Sequence, residues 1–288
     1  MADEPPCEAG GVESPLRIAA AGRTKRALSV LRAALERGEA YLAFQPVVDA
    51  ADPSSVLFHE ALFRIRDEAG REVQAHDFMP AAEAHEIGRE VDRIALALAL
   101  RELAQARGLR VSVNLSARTL GDRGWMSLLR RAVARRPEVG ARLTVELTES
   151  SAPSLPGVAL EVMEELRTFG TRIALDDFGT GHNSFAHLQD YRFDVLKIDG
   201  RFARGIERGG DSRALIAPML ELARHFGMLA VAERVETKAQ SDALREMGVG
   251  GMQGYYFGRP TACPAWRPAV GPRPPALLPA RPPASLSG

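Results

Sequence analysis

Eight short runs along the chain either alternate apolar and polar residues or stay apolar throughout: YLAFQPVVD, SVLFHEALF, VSVNL, LTVEL, RIALDD, DVLKID, LAVAERV and MQGYYF. Alternation with period two marks a strand buried on one face, and an unbroken apolar run marks one buried on both. From the third run onward, segments with helical period separate most of them, namely RTLGDRGWMSLLRRAVARR, GVALEVMEELRTFG, SRALIAPMLELARHFG and KAQSDALREMG. Strands alternating with helices pair in parallel. Eight of them in a stretch of about 240 residues predict a closed barrel. An open doubly wound sheet is the structural alternative. One connection departs from the pattern: only AADPS separates Asp49 from Ser55. A parallel crossover needs a dozen or more residues, whereas a hairpin does not. The expected fold is therefore α/β, a modified (β/α)8 TIM-like barrel with the first strand antiparallel to the rest.

The ends of the chain read differently. Residues 1–23 lack periodicity and are expected to form a flexible segment. From Thr24 to Glu39, Leu28, Leu31 and Leu35 share one helical stripe, and Gly38 suits the helix end. From Pro260 onward the chain carries nine of its 19 prolines, a composition that favours extended chain over a packed core. The predicted division is a flexible segment at 1–23, one folded domain at 24–266 and a Pro-rich disordered tail at 267–288.

Composition narrows the chemistry. Hydrophobic content of 45% and charged content of 26% suit a protein with a real core. Lys+Arg and Asp+Glu are both 37, so no general electrostatic attraction to a nucleic-acid polymer or an anionic membrane is expected. Cys7 and Cys263 lie near the two ends and build neither a disulfide framework nor a Cys-based zinc site. The acidic, Pro/Gly-rich start is unlike a signal peptide. The apolar stretch Ile94–Leu100 is too short to span a bilayer. The expectation is a cytoplasmic protein with no membrane insertion.

Polar residues interrupt almost every strand near its C-terminal end. Glu60 lies in SVLFHEALF, Asn114 ends VSVN, and Glu146 stands in LTVEL. Asp176 and Asp177 end RIALDD, Lys197 lies in DVLKID, Glu233 and Glu236 close LAVAERVE, and Gln253 opens the last strand. In a barrel those ends converge on the face where active sites form. Each residue alone also has a structural reading: a turn, a helix cap, or a Lys197–Asp199 pair. Together they would crowd five carboxylates (Glu60, Glu146, Asp176, Asp177, Glu233) around one lysine, an arrangement unstable without further cations. An oxygen-only ligand set suits Mg2+ or Mn2+ better than Zn2+. Two such ions about 4 Å apart are the standard device for hydrolysing phosphate esters.

The ordered motifs HEALFR (His59–Arg64), VNLS (Val113–Ser116), ELTES (Glu146–Ser150), DDFGTG (Asp176–Gly181), LKID (Leu196–Asp199), AERVET (Ala232–Thr237) and QGYYFGRP (Gln253–Pro260) closely resemble the EAL-domain family of bacterial cyclic di-GMP phosphodiesterases. The resemblance implies hydrolysis of cyclic di-GMP to linear pGpG with two Mg2+ or Mn2+ ions and no organic cofactor. It implies that Glu60, Asn114, Glu146 and Asp176 hold the first ion, and that Asp177 binds the second while sharing Asp176. Lys197 would contact the metal-bound water, Glu233 would act as general base, and Glu236 would steady the site. Gln253 would position substrate or water. Gln45 and Arg64 would contact the nucleotide, with Arg64 forking onto a phosphate, and Leu62 would lie beside the substrate. Glu149 would anchor the loop containing Phe178, Gly179, Thr180 and Gly181, which would link the metal site to a homodimer interface.

The chain departs from the family pattern at His182, Arg234 and Gly250, and in lacking a tryptophan and a later histidine after Arg64. None of these removes an implied ligand. Arg234 is expected either to lower the pKa of Glu233 or to point into solvent. Three other readings compete: a cyclic di-GMP receptor without catalysis, an enolase-type proton abstractor, and a structural scaffold. The complete ligand set and ordered motifs favour the phosphodiesterase. With no GGDEF-type motif and no recognisable sensor segment, regulation is expected from dimerisation, a regulatory protein partner or expression.

Overall fold

A computed structural model describes residues 15–148, 156–180, 188 and 191–267, with side chains from residue 22 onward except at Pro156. Eight strands close into a barrel: β1 (Ala40–Asp49), β2 (Val56–Arg66), β4 (Val111–Asn114), β5 (Leu143–Thr148), β6 (Arg172–Phe178), β7 (Val195–Ile198), β8 (Leu229–Ala232) and β9 (Gly251–Gln253). Neighbours run in parallel from β2 through β4 to β9, while β1 pairs antiparallel with both β2 and β9 and closes the circle. The short link between Asp49 and Val56 is the hairpin expected from AADPS. Asp49 Oδ1 accepts the backbone N–H groups of Ala51 and Asp52, which fixes the turn.

Helices clothe the barrel, and their limits follow local chemistry. The helix Arg123–Arg135 starts where Asp122 accepts the N–H of Trp125 at 2.7 Å, satisfying one of the free N–H groups of its first turn. The helix Lys238–Glu246 opens on a capping box between Thr237 and Gln240. The helix Glu86–Gln105 buries Val91, Ala95, Leu96, Ala99 and Leu103 against the barrel. Among the described residues no helix is long and apolar enough to cross a membrane.

Four details differ from the sequence reading. The first helix begins at Pro15 and ends at Glu36, so residues 15–23 of the segment expected to be flexible are helical; residues 1–14 lie outside the described residues. A ninth strand, β3 (Glu72–Gln74), pairs antiparallel with the end of β2 and leads into a short helix, Ala75–Ala82. The last barrel strand stops at Gln253, and Tyr255–Phe257 form a turn. Finally, Arg267, placed in the expected tail, packs with residues 261–266 onto the barrel's outer wall. Thr261 bridges Phe44 through two backbone hydrogen bonds. Trp266 meets Phe44 and His59 edge to face at 5.2 and 4.5 Å. Arg267 pairs with the buried Glu102 at 2.7 Å. The rest of the expected tail, 268–288, lies outside the described residues.

Candidate active site

Strand alternation builds the site. Val47, Phe58, Ala174, Val195 and Val231 form a buried apolar cluster, the floor of the barrel interior. Two residues further toward the mouth on the same strands come Gln45, Glu60, Asp176, Lys197 and Glu233. Side chains at i and i+2 share a face, so a polar layer lies directly above an apolar one. β1 runs the opposite way and supplies Gln45 from before Val47 rather than after it. The same spacing brings Asn114 above Ser112, Glu146 above Thr144 and Gln253 above Gly251. Each of the eight strands therefore delivers one polar head to the mouth.

Lys197 stands at the centre. It is 1% exposed, and its Nζ lies 2.7 Å from Glu146 Oε2, 2.8 Å from Glu233 Oε1, 3.0 Å from Asp176 Oδ1 and 3.4 Å from Glu60 Oε2. The expected alternative, a Lys197–Asp199 pair, does not form; Asp199 instead accepts from Arg201 and caps the short helix Gly200–Ala203. Gln253 Nε2 donates to Glu60 Oε2 at 2.6 Å and to Gln45 Oε1 at 3.2 Å, and Asn114 Nδ2 donates to Glu60 Oε1 at 3.2 Å.

Asp176 and Asp177 are adjacent, and simple alternation would send them to opposite faces. A β-bulge resolves this. The β6–β7 pairing steps from Leu175↔Leu196 to Phe178↔Ile198, three residues against two. Asp177 absorbs the extra residue in the left-handed region at φ +55, a conformation that Asp tolerates better than most residues. Ligand oxygens of Asp176, Asp177 and Glu233 then lie within 4.8 Å of one another.

The charges are strongly perturbed. Burial opposes ionisation of Glu60, but Lys197 and the amides of Gln253 and Asn114 outweigh it and hold that carboxyl below its usual range. Burial pushes Glu146 up to about 8 against the pull of Lys197, with Glu60 and Asp176 adding to the rise. Glu233 is raised well above its usual value, again first by burial, then by Asp176 and Glu60 against Lys197. Burial, Asp176 and Asp199 push Asp177 up to about 6. Burial would lower Lys197, yet the surrounding carboxylates raise it well above its usual value.

With all four carboxyls ionised, the one ammonium leaves a formal charge of −3, to which Asp177 adds, and the raised proton affinities of Glu146, Glu233 and Asp177 reflect that surplus. Glu146 Oε1, Asp176 Oδ1 and Gln253 Oε1 are buried acceptors without a hydrogen bond. Asp176 Oδ1 is near Lys197 but off the line a hydrogen bond requires. Unsatisfied buried oxygens with surplus negative charge and no soft donor fit a hard divalent cation.

The remaining expected residues divide. Leu62 and the buried Arg64 follow Glu60 along the same face of β2. Arg64 donates to Phe63 O at 3.0 Å and lies 3.6 Å from Glu72 of β3, while its Nε is buried without a hydrogen bond. Glu236 is exposed, and its carboxylate is not among those contacting Lys197; its backbone N–H is tied to Gln240 Oε1 at 2.8 Å. Phe178 is fully buried. Gly179 has φ +93 and packs against Phe202 and Met219. Thr180 N–H donates to Asp177 O at 3.3 Å. Glu149, Gly181 and His182 lie outside the described residues. Arg234 is exposed, and its charge acts on Asp177 and Asp199. Sequence reasoning missed Glu72, whose strand it did not foresee. It also missed Asp199, which follows β7 and caps the next helix, as a neighbour of Asp177.

Comparison with known proteins agrees with this architecture. The sequence matches the EAL domain family over residues 29–260. It is 31% identical over 234 residues to the cyclic di-GMP phosphodiesterase PdeF of Escherichia coli (strain K12), covering 80% of this chain and 31% of PdeF. It is 32% identical over 235 residues to the bifunctional diguanylate cyclase/cyclic di-GMP phosphodiesterase MucR of Pseudomonas aeruginosa, covering 80% and 34%. The chain thus spans about a third of the length of these curated relatives. The solved structure of the PaMucR phosphodiesterase in complex with c-di-GMP has a TM-score of 0.71 and 32% identity, covering 82% of this chain and 97% of that one.

Proposed function

This chain belongs to the EAL domain family, and on that premise we propose that it is a metal-dependent phosphodiesterase that opens cyclic di-GMP to linear pGpG. The observation that carries the reading is the buried group of Glu60, Glu146, Asp176 and Glu233 around Lys197, with Asp177 turned toward it by the bulge. Glu60, Asn114, Glu146 and Asp176 would hold one divalent cation, and Asp177 with the shared Asp176 a second. The ions, Mg2+ or Mn2+, supply positive charge that neutralises the phosphodiester and makes water a stronger acid.

The chain's own groups do the rest. Glu233 Oε1 is engaged by Lys197, which leaves Oε2 to take a proton from the attacking water. A carboxylate whose affinity for protons is raised by burial is a better base near neutral pH. Lys197 fixes the orientation of the four carboxylates and keeps one positive charge beside the nucleophile. Gln253 and Gln45, hydrogen-bonded to each other, orient substrate or water at the β1–β9 seam. About 13 Å of strand separates Glu60 from Arg64, so Arg64 can engage substrate phosphate beyond the reacting one, exchanging its loose contact with Glu72. Leu62 offers an apolar surface between them. Glu149 and the segment 178–181 would couple the site to a second copy of the chain, and a regulatory protein is a further partner. The reading also assigns the protein to the cytoplasm, where the nucleotide is found.

The test is incubation of the purified chain with cyclic di-GMP and Mg2+ or Mn2+, followed by chromatography of the nucleotides, with Glu60→Ala alongside. Formation of pGpG, lost in the variant, is expected. Saturable nucleotide binding without product would replace the enzyme by a receptor.

A further inference from the structure

Among the described residues, Asp177 and Arg234 are the non-glycine residues at positive φ. Asp177 is accounted for by the bulge. Arg234, at φ +53, is a long side chain held in a region that favours glycine, and such strain persists where surrounding structure enforces it. Here the enforcing partner is Gly200. A Cβ on Gly200 would fall 2.4 to 2.6 Å from the Cβ, Cγ and Cδ of Arg234, so the arginine stem lies directly against the backbone that follows β7. This directs the side chain from the end of β8 toward β7 and away from β2 and β4. The head is exposed and carries no ion pair among the described residues. Its field reaches Asp177 and Asp199.

We propose that Arg234 is an internal counter-charge for the Asp177 side of the mouth, which weakens binding of a divalent cation at Asp177 relative to the one held by Glu60, Asn114, Glu146 and Asp176. This rests on the two-cation reading of the site. A fixed positive charge stabilises a bare carboxylate but repels a dication arriving at the same oxygens. The effect is larger at Asp177, because β2 and β4, which carry Glu60 and Asn114, lie across the barrel from β7 and β8. Loading of the second site then becomes the step that depends on metal concentration.

The experiment is calorimetric titration of the purified chain with Mn2+, without nucleotide, for the native sequence, Arg234→Gln, Arg234→Gly and Arg234→Lys. The native chain is expected to bind Mn2+ in two classes. Removing the charge in the Gln and Gly variants tightens the weaker class by about three- to tenfold, the range for one exposed charge acting on a dication. The tighter class changes less, and the Lys variant stays close to native. An unchanged weaker class in both neutral variants, or an equal change in both classes, overturns the role of Arg234 and leaves the two-cation reading intact. No Mn2+ binding by the native chain overturns both.

Discussion

Replacing Lys197 by Met tests the electrostatic logic of the site most directly. Methionine keeps the length and apolar stem and removes the ammonium. That ammonium is 1% exposed and lies 2.7 to 3.4 Å from four carboxylates, none more than 13% exposed. Breaking a buried charge group by deleting one partner costs about 3–5 kcal/mol. For a domain of this size that is a loss of roughly 6–20 °C in Tm. The cost depends on pH. Without Lys197 the carboxyls hold their protons more tightly in the folded chain than in the unfolded one. Protonation then relieves the repulsion at low pH, and stability is lost as pH rises. Divalent cation replaces the missing charge and stabilises by mass action, by about 2.7 kcal/mol at a hundredfold excess over Kd. The assay is thermal unfolding from pH 5 to 8, in chelator and in Mn2+. The variant is expected to melt well below the native chain in chelator at pH 8, to approach it toward pH 5, and to gain more from Mn2+. A loss below about 1 kcal/mol that is flat with pH would refute the reasoning.

In chelator the native chain itself should lose stability with rising pH. Asp177 and Glu146, raised to about 6 and about 8, favour the folded state fully below about pH 4, and that contribution disappears as pH passes through the two raised values; Mn2+ should flatten the slope in urea titrations. Glu146→Gln should abolish pGpG formation while raising the melting temperature in chelator above about pH 8, where the native carboxyl ionises; a lower melting temperature there would contradict the surplus of negative charge. Gly200→Ala should destabilise by about 1–3 kcal/mol through overpacking against Arg234, and most of that should vanish when Arg234→Gly is added, as a double-mutant cycle would register. Glu102→Ala should cost about 1–3 kcal/mol, since Trp266 Nε1 and Arg267 both donate to it; an unchanged denaturation midpoint and unchanged tryptophan emission would show that residues 261–267 do not hold the barrel.

The barrel was legible because alternation and helical period are written plainly in the chain, and because AADPS permits one kind of connection. The polar heads were legible because each interrupts an apolar strand at a similar depth. The bulge was not. Two adjacent aspartates contradict a period of two, and the register slip that reconciles them depends on how β6 meets β7. Strand β3 was hidden because three residues, Glu72–Gln74, are too few to show a period. The packing of Trp266 and Arg267 was hidden by composition: prolines nearby masked the contacts they make with a helix more than 150 positions away in sequence. The sequence offers two readings of Arg234, an action on Glu233 or a side chain in solvent; the head is exposed, as the second has it, and its charge is felt at Asp177 and Asp199.

The antiparallel first strand determines how the chain arrives. In a barrel of parallel strands the first strand starts at the floor. Here β1 starts at the mouth, where the N–H of Arg66, the last residue of β2, donates to Glu39 O at 3.0 Å. The helix Pro15–Glu36 therefore delivers the chain beside the acidic group and not at the far end of the barrel. A torque or displacement applied to that helix would be felt first by the β1 and β2 ends that frame Gln45, Leu62 and Arg64. It would reach the opposite wall only through half the circuit of strands on either side.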